Sequence, residues 1–224
     1  MKIKKLLKKI YFKIPHSNIF MFHHVSKEPK IKNSNCVLET SDFKNFVDKH
    51  NNYVCIYEII DHCFTYNKIS ITFDDGLADV YSIAYPFLKN KNIPFTVFIL
   101  TEMLDTPGYI STEQLLELSN DPLVTIGLHG TFHRVLTKCI DEEQDDEIYY
   151  GKLKLEKLIN KKIDIFAYSH GQYDSKIINK VRKAGFKYAF SVREKPLNIF
   201  ELVKSYELPR YNIDSNSINN KNWI

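Results

Sequence analysis

The sequence predicts one α/β domain, a distorted or incomplete (β/α) barrel of seven to eight strands, and three observations lead there. Its 224 residues, 44% of them hydrophobic, are ample for one core and short for two domains. Short segments rich in Ile, Val, Phe and Tyr alternate with amphipathic ones, the order that builds parallel βαβ units. Pairs of carboxylates and imidazoles stand where apolar strands end, and a barrel gathers its reactive groups at the C-terminal ends of its strands. Seven Gly and eight Pro with 13% aromatic residues exclude collagen-like, low-complexity and disordered chains, because so apolar a sequence offsets the entropy of ordering its backbone.

Residues 1–14 come first, with Ile3, Leu6, Leu7, Ile10 and Ile14 on one helical face and six lysines on the rest. This head reads either as a surface helix packed on the domain or as a peripheral contact with anionic lipid. It accounts for the formal charge of +4, since residues 15–224 carry 25 Lys and Arg against 27 Asp and Glu. A slightly acidic body without a basic stripe argues against nucleic acid as a partner. Lysines interrupt every candidate apolar core of a signal peptide, and no uncharged run of about 18 residues predicts a spanning helix. The expected location is therefore the cytoplasm, with the head resting on the inner membrane face in the lipid-binding case. Cys36, Cys55, Cys63 and Cys139 show no CxxC spacing and read as reduced thiols.

The barrel proper is expected over residues 15–213. Strands are predicted at 18–22, 53–57, 68–73, 95–100, 123–128, 164–168, 187–191 and 207–213. Helical patterns fall between them at 41–50, 78–91, 112–119, 141–160 and 175–184. Ser111 and Asp174 are expected N-caps, and Gly185 a helix stop. Residues 214–224, rich in Asn and Ser, read as a polar tail.

The chemistry concentrates in two places. The apolar run Ile69–Phe73 leads into Asp74, Asp75 and Gly76. By itself this is a surface turn; at the end of a buried strand two adjacent carboxylates need a cation to neutralise them. A second apolar run delivers His129 and His133 in LHGTFH. Four residues apart on a helical turn, both rings reach one point. One carboxylate and two imidazoles make a three-ligand set for a divalent metal with positions left open, and the other carboxylate is free to act as a base. That combination suits hydrolysis of an ester or an amide.

ITFDDG, LHGTFH and FAYSHGQYD resemble, in order and separation, the first three motifs of the polysaccharide deacetylases, carbohydrate esterase family four. FMFHHV is similar to the family's opening strand and ELPRYNI to a closing strand, so the resemblance covers nearly the whole chain. It implies a distorted barrel, a divalent metal (zinc first, cobalt or nickel as alternatives) and removal of acetyl from an N-acetylated sugar in surface polysaccharide assembly. Carried over by position, it makes Asp74 the general base and Asp75, His129 and His133 the metal ligands. Without an export signal the expected substrate is a sugar nucleotide, a lipid-linked glycan precursor or a formylated lipid-linked sugar.

Three departures stand out. Gly130 occupies the place of the family's supporting Ser or Thr, with Thr131 next door as a substitute. Ala167, Ser169 and His170 replace the usual Arg and Pro of the third motif, and Arg210 in LPR is either the replacement for that Arg or a surface ion pair. The later Trp and His are missing, which leaves His170, His23 and His24 at strand ends, each read either as a structural or substrate-contacting residue or as the general acid. Backbone N–H groups around Ser169 and His170 are expected to serve an oxyanion. The rival reading is a non-catalytic barrel that binds glycan or an assembly partner.

Overall fold

A computed structural model describes residues 15–26, 36–61 and 67–218. The basic head, His62, Cys63 and Trp223 lie outside the described residues. Seven parallel strands form one curled sheet in the order β8-β7-β6-β5-β4-β1-β9. They are β1 (Asn18–Phe22), β4 (Ile69–Phe73), β5 (Phe95–Leu100), β6 (Val124–Gly130), β7 (Ile165–Ala167), β8 (Tyr188–Phe190) and β9 (Tyr211–Asn212). Two short strands, β2 (His24–Ser26) and β3 (Val37–Glu39), pair separately. This is the expected incomplete (β/α) barrel.

Strand alternation sorts the core into two layers. Phe20, Phe22, Ile71, Phe73, Phe95, Val97 and Ile99 belong to the larger cluster, which the outer helices cover. Ile19, Phe98, Ile165, Ala167 and Phe190 belong to a second cluster on the inner side. The last strand segment joins the two sides of the sheet. Leu208 bridges Phe190 of β8, and directly after Arg210 the residues Tyr211 and Asn212 pair with Phe20 and Met21 of β1.

Some expectations change. The predicted strand 53–57 is a single bridge from Tyr53 to Ile69 followed by the helix Ile56–Asp61. Ile56, Ile59 and Ile60 have helical spacing and all enter the inner cluster, so burial of one helical face outweighs β-propensity. The helices expected at 78–91 and 141–160 are present, each interrupted by a five-residue π-turn, Val80–Ala84 and Asp146–Tyr150. Ser111 caps Thr112–Asn120 in a capping box with Gln114, and Asp174 caps Ser175–Lys183. Residues 214–218, expected within the polar tail, pack on the domain: Asp214 and Ser217 are buried and Ser215 donates to the Val37 carbonyl. Cys36, Cys55 and Cys139 are free thiols, and among the described residues no helix is long and apolar enough to cross a membrane.

Candidate active site

β4 is buried throughout and ends in a turn that separates its two carboxylates. Asp75 and Gly76 both have φ of +71°, a left-handed step that turns the backbone between them. Asp74 goes inward to Arg210. Nη1 and Nη2 donate to Oδ1 and Oδ2 at 2.6 and 2.8 Å. The same guanidinium donates to Thr72 Oγ1 and the Ser191 carbonyl, both at 3.2 Å, and lies over the rings of Phe98 and Phe190. Arg210 is fully buried, which removes the surface ion pair as its explanation. Burial opposes a charge on Asp74, but Arg210 and the neighbouring imidazoles override it and hold the carboxyl below its ordinary range.

His129 stands at the end of β6, in extended chain, so the expected helical turn is absent. The rings converge differently: Gly130 at φ +111° turns the chain and His133 at φ +63° brings the second ring back, 5.0 Å from the first. His129 Nδ1 donates to the Ala167 carbonyl at 2.9 Å, which aims Nε2 at the carboxylates. Nε2 lies 3.4 Å from Asp75 Oδ1 and 3.7 Å from Asp74 Oδ2, and His133 Nε2 lies 3.5 Å from the same Asp75 oxygen.

These ligand atoms fit a cation. One oxygen and two imidazole nitrogens lie within 4.8 Å of one another, and Asp75 Oδ1 is buried with no hydrogen-bond donor. Burial opposes a charge on His129, yet Asp74 and Asp75 raise its pKa, so a proton is drawn to the spot between two carboxylates. Burial, reinforced by His129, lowers His133 to about 4. Asp75, like Asp74, is held below the usual carboxylate range despite burial, chiefly by His129.

The remaining histidines divide. His170 is exposed; its Nε2 donates to the His133 carbonyl at 3.1 Å and its ring lies 4.2 Å from that of His133. It therefore braces His133. His23 follows β1; its Nδ1 is buried without a partner, and burial lowers its pKa while Asp74 and Asp75 partly offset this. His24 is tied to Asp79 at 2.7 Å. His50 packs on the Phe46 ring and bonds its carbonyl.

Thr131 does not replace the missing Ser or Thr, since its Oγ1 has no partner. Two side chains that sequence reasoning passed over hold this loop. Ser169 Oγ donates to the His129 carbonyl at 2.6 Å. The buried Glu147 accepts the backbone N–H groups of Thr131 and Phe132 at 2.8 and 3.0 Å. Glu147 lies in the acidic run DEEQDDE, which looks like a solvated face. Its phase gives it away, because Gln144, Glu147, Ile148, Gly151, Leu155 and Ile159 form one buried stripe. Of the eight non-glycine residues with positive φ among the described residues, five are Asn or Asp in outlying turns. The other three are Asp75, His133 and His170, so backbone strain gathers at this site.

The chain spans 42% of YxkH from Bacillus subtilis (strain 168), with 26% identity over 119 residues, or 53% of this chain. It spans 60% of a poly-beta-1,6-N-acetyl-D-glucosamine N-deacetylase from Staphylococcus aureus (strain MSSA476), with 27% identity over 175 residues, or 71% of this chain. Its fold is similar to that of IcaB from Ammonifex degensii (TM-score 0.79, 21% identity, 92% of this chain and 94% of that one). It is similar also to the Streptococcus pyogenes deacetylase PplD in complex with acetate (TM-score 0.77, 19% identity, 90% and 93%). The family model for polysaccharide deacetylase matches residues 61–189, a span that holds both carboxylates, both loop histidines and the third motif, and the chain belongs to the polysaccharide deacetylase family.

Proposed function

We propose that this chain is a cation-dependent hydrolase that removes an N-acetyl group from an amino sugar of a surface polysaccharide. The observation that carries this reading is the convergence of Asp75, His129 and His133 beside an Asp74 clamped by Arg210. Asp75, His129 and His133 would hold a divalent cation, zinc first and cobalt or nickel as alternatives, and such a cation would supply Lewis-acid chemistry: polarisation of the acyl carbonyl and a lowered pKa for its water. Asp74 takes the proton from the attacking water. Each of its oxygens accepts one bond from Arg210 and keeps lone-pair capacity for another, so the clamp fixes the base without blocking it. As the new C–O bond forms and the C–N bond breaks, the departing nitrogen needs that proton, and His23, whose Nδ1 is buried without a partner, is the imidazole assigned to relay it. His170 keeps His133 in place, and the N–H groups around Ser169 and His170 serve the oxyanion.

The Staphylococcus aureus relative is named for a polymer of N-acetylglucosamine, which supports a substrate of that class, free or lipid-linked. For a lipid-linked glycan, the six lysines of residues 1–14 supply contact with the anionic inner membrane face. The primary test is acetate release from N-acetylglucosamine oligomers with added zinc, cobalt or nickel. Release is expected from the wild-type chain and from neither Asp74→Asn nor His129→Ala. Undiminished release by either variant overturns the assignment, and glycan binding without any release supports the non-catalytic barrel. Co-flotation with anionic liposomes that is equal with and without residues 1–14 overturns the membrane contact.

A further inference from the structure

We propose that Glu147 is a positioning residue that sets the backbone between His129 and His133 for cation binding, an inference that rests on reading Asp75, His129 and His133 as the cation set. Four observations converge on it. Both Glu147 oxygens accept backbone N–H groups from inside the HGTFH segment, those of Thr131 and Phe132. These two residues lie between the two ring-bearing positions, so the carboxylate clips the chain at the step that determines how far apart the rings stand.

The approach also depends on Gly130. A Cβ placed there would meet Glu147 Oε2 at 2.3 Å, and φ is +111°, which side-chain-bearing residues rarely adopt. The glycine that departs from the family pattern is thus the residue that admits the carboxylate. Glu147 itself rides on the π-turn Asp146–Tyr150 that interrupts the long helix. Such turns shift the phase of a helix by one residue and recur at functional sites. Finally, burial of a carboxylate is costly unless it is neutralised or well bonded. The two charge-assisted bonds and Arg134, with Nη1 3.7 Å from Oε1, meet that need, and Arg134 is the residue directly after His133. The carboxylate is therefore bonded only to the segment it organises: no other polar partner of Glu147 is present among the described residues.

Glu147 touches neither the carboxylates nor the imidazole nitrogens, so it acts through the loop. Glu147→Gln keeps the volume and separates the two roles. Its amide oxygen can accept one of the two N–H groups, but its NH2 then faces the other donor. The readouts are cobalt affinity by chelator competition, the visible absorption of the cobalt-loaded protein, and amide hydrogen exchange of the segment 130–134. Outer residues that orient metal ligands change affinity by about 10–100-fold. Glu147→Gln is expected to weaken cobalt binding within that range, change the absorption band and speed exchange at Thr131 and Phe132, while near-ultraviolet circular dichroism stays native.

A folded Glu147→Gln protein with wild-type cobalt affinity and absorption overturns the proposal, even if its Tm has dropped, since that is what a merely structural carboxylate would do. Should the Gln variant not fold, Glu147→Asp, which retains the charge but draws it back by one methylene, is read by the same criteria. Wild-type protein that binds no cobalt overturns the cation-site reading and the proposal with it. Wild-type binding that both variants leave intact overturns the proposal alone.

Discussion

The two strand ends that build this site are held in opposite ways. At the end of β4, Asp74 is fixed through its side chain by a buried guanidinium that also reaches Thr72 and the Ser191 carbonyl. At the end of β6, the histidines are fixed through their backbone, by Ser169 on the His129 carbonyl and Glu147 on the Thr131 and Phe132 N–H groups. Under the proposed function the difference follows from what each end would do. A base has to keep one ionisation state in a dry interior, and a directly bonded cation achieves that. Two imidazoles have to present unblocked nitrogens to a common point, so their support cannot come from groups bonded to those nitrogens.

The comparison breaks hardest at Asp74. Asp74→Asn retains a shape that Arg210 can still bond but removes the proton acceptor. Acetate release is expected to fall by about 10²–10⁴-fold, with cobalt affinity nearly unchanged. A parallel loss of cobalt binding would show that the two ends are not separate devices. Arg210→Met leaves the Asp74 charge buried and unpaired. Denaturant unfolding should show a loss of about 3–5 kcal/mol, and activity should fall with it because the carboxyl no longer stays ionised. Arg210→Met protein with wild-type stability would mean that Asp74 is solvated in a way the buried geometry does not show.

The β6 end is sharpened by pH. His129 has its pKa raised above 6.5, so in chelator-treated protein its stability contribution is present below 6.5 and is lost as pH rises through the raised value. His23 and His133, both lowered, act in the other direction, weakening the fold as pH falls below 6.5. Stability of the cation-free chain should therefore pass through a maximum near 6.5 and decline on the alkaline side. Saturating zinc replaces the proton on His129 and should reduce that decline to the part left by His24, which Asp79 also raises, because cation binding strengthens as ligands deprotonate. Thermal melts with chelator and with zinc measure this, and identical pH profiles would count against His129 as a ligand. The smallest effect serves as a control distant from both ends: Ser111→Ala removes a helix cap and is expected to cost about 1 kcal/mol without changing activity per folded molecule.

Much of this was legible before any coordinates. The alternation of apolar runs gives the parallel sheet, and Asp74, Asp75, His129 and His133 stand out because each pair follows a buried strand. The strand expected at 53–57 fails for a local reason, since Val54, Ile56, Ile59 and Ile60 satisfy both periodicities over so short a stretch. His129 and His133 converge as expected but through a left-handed turn, and spacing alone does not tell a helical i,i+4 pair from a strand end followed by a reversal.

What sequence by itself determined is the order of elements, the family and the candidate site residues, because periodicity and motif spacing are properties of neighbouring residues. Tertiary structure decided the partners. Arg210 meets Asp74 across 136 positions, and Glu147 meets the histidine loop from an acidic run that looks solvated on its own. Burial is what gives those contacts their meaning: a charge removed from water must find its counterpart wherever the fold brings one, and that choice is made by packing between segments distant along the chain.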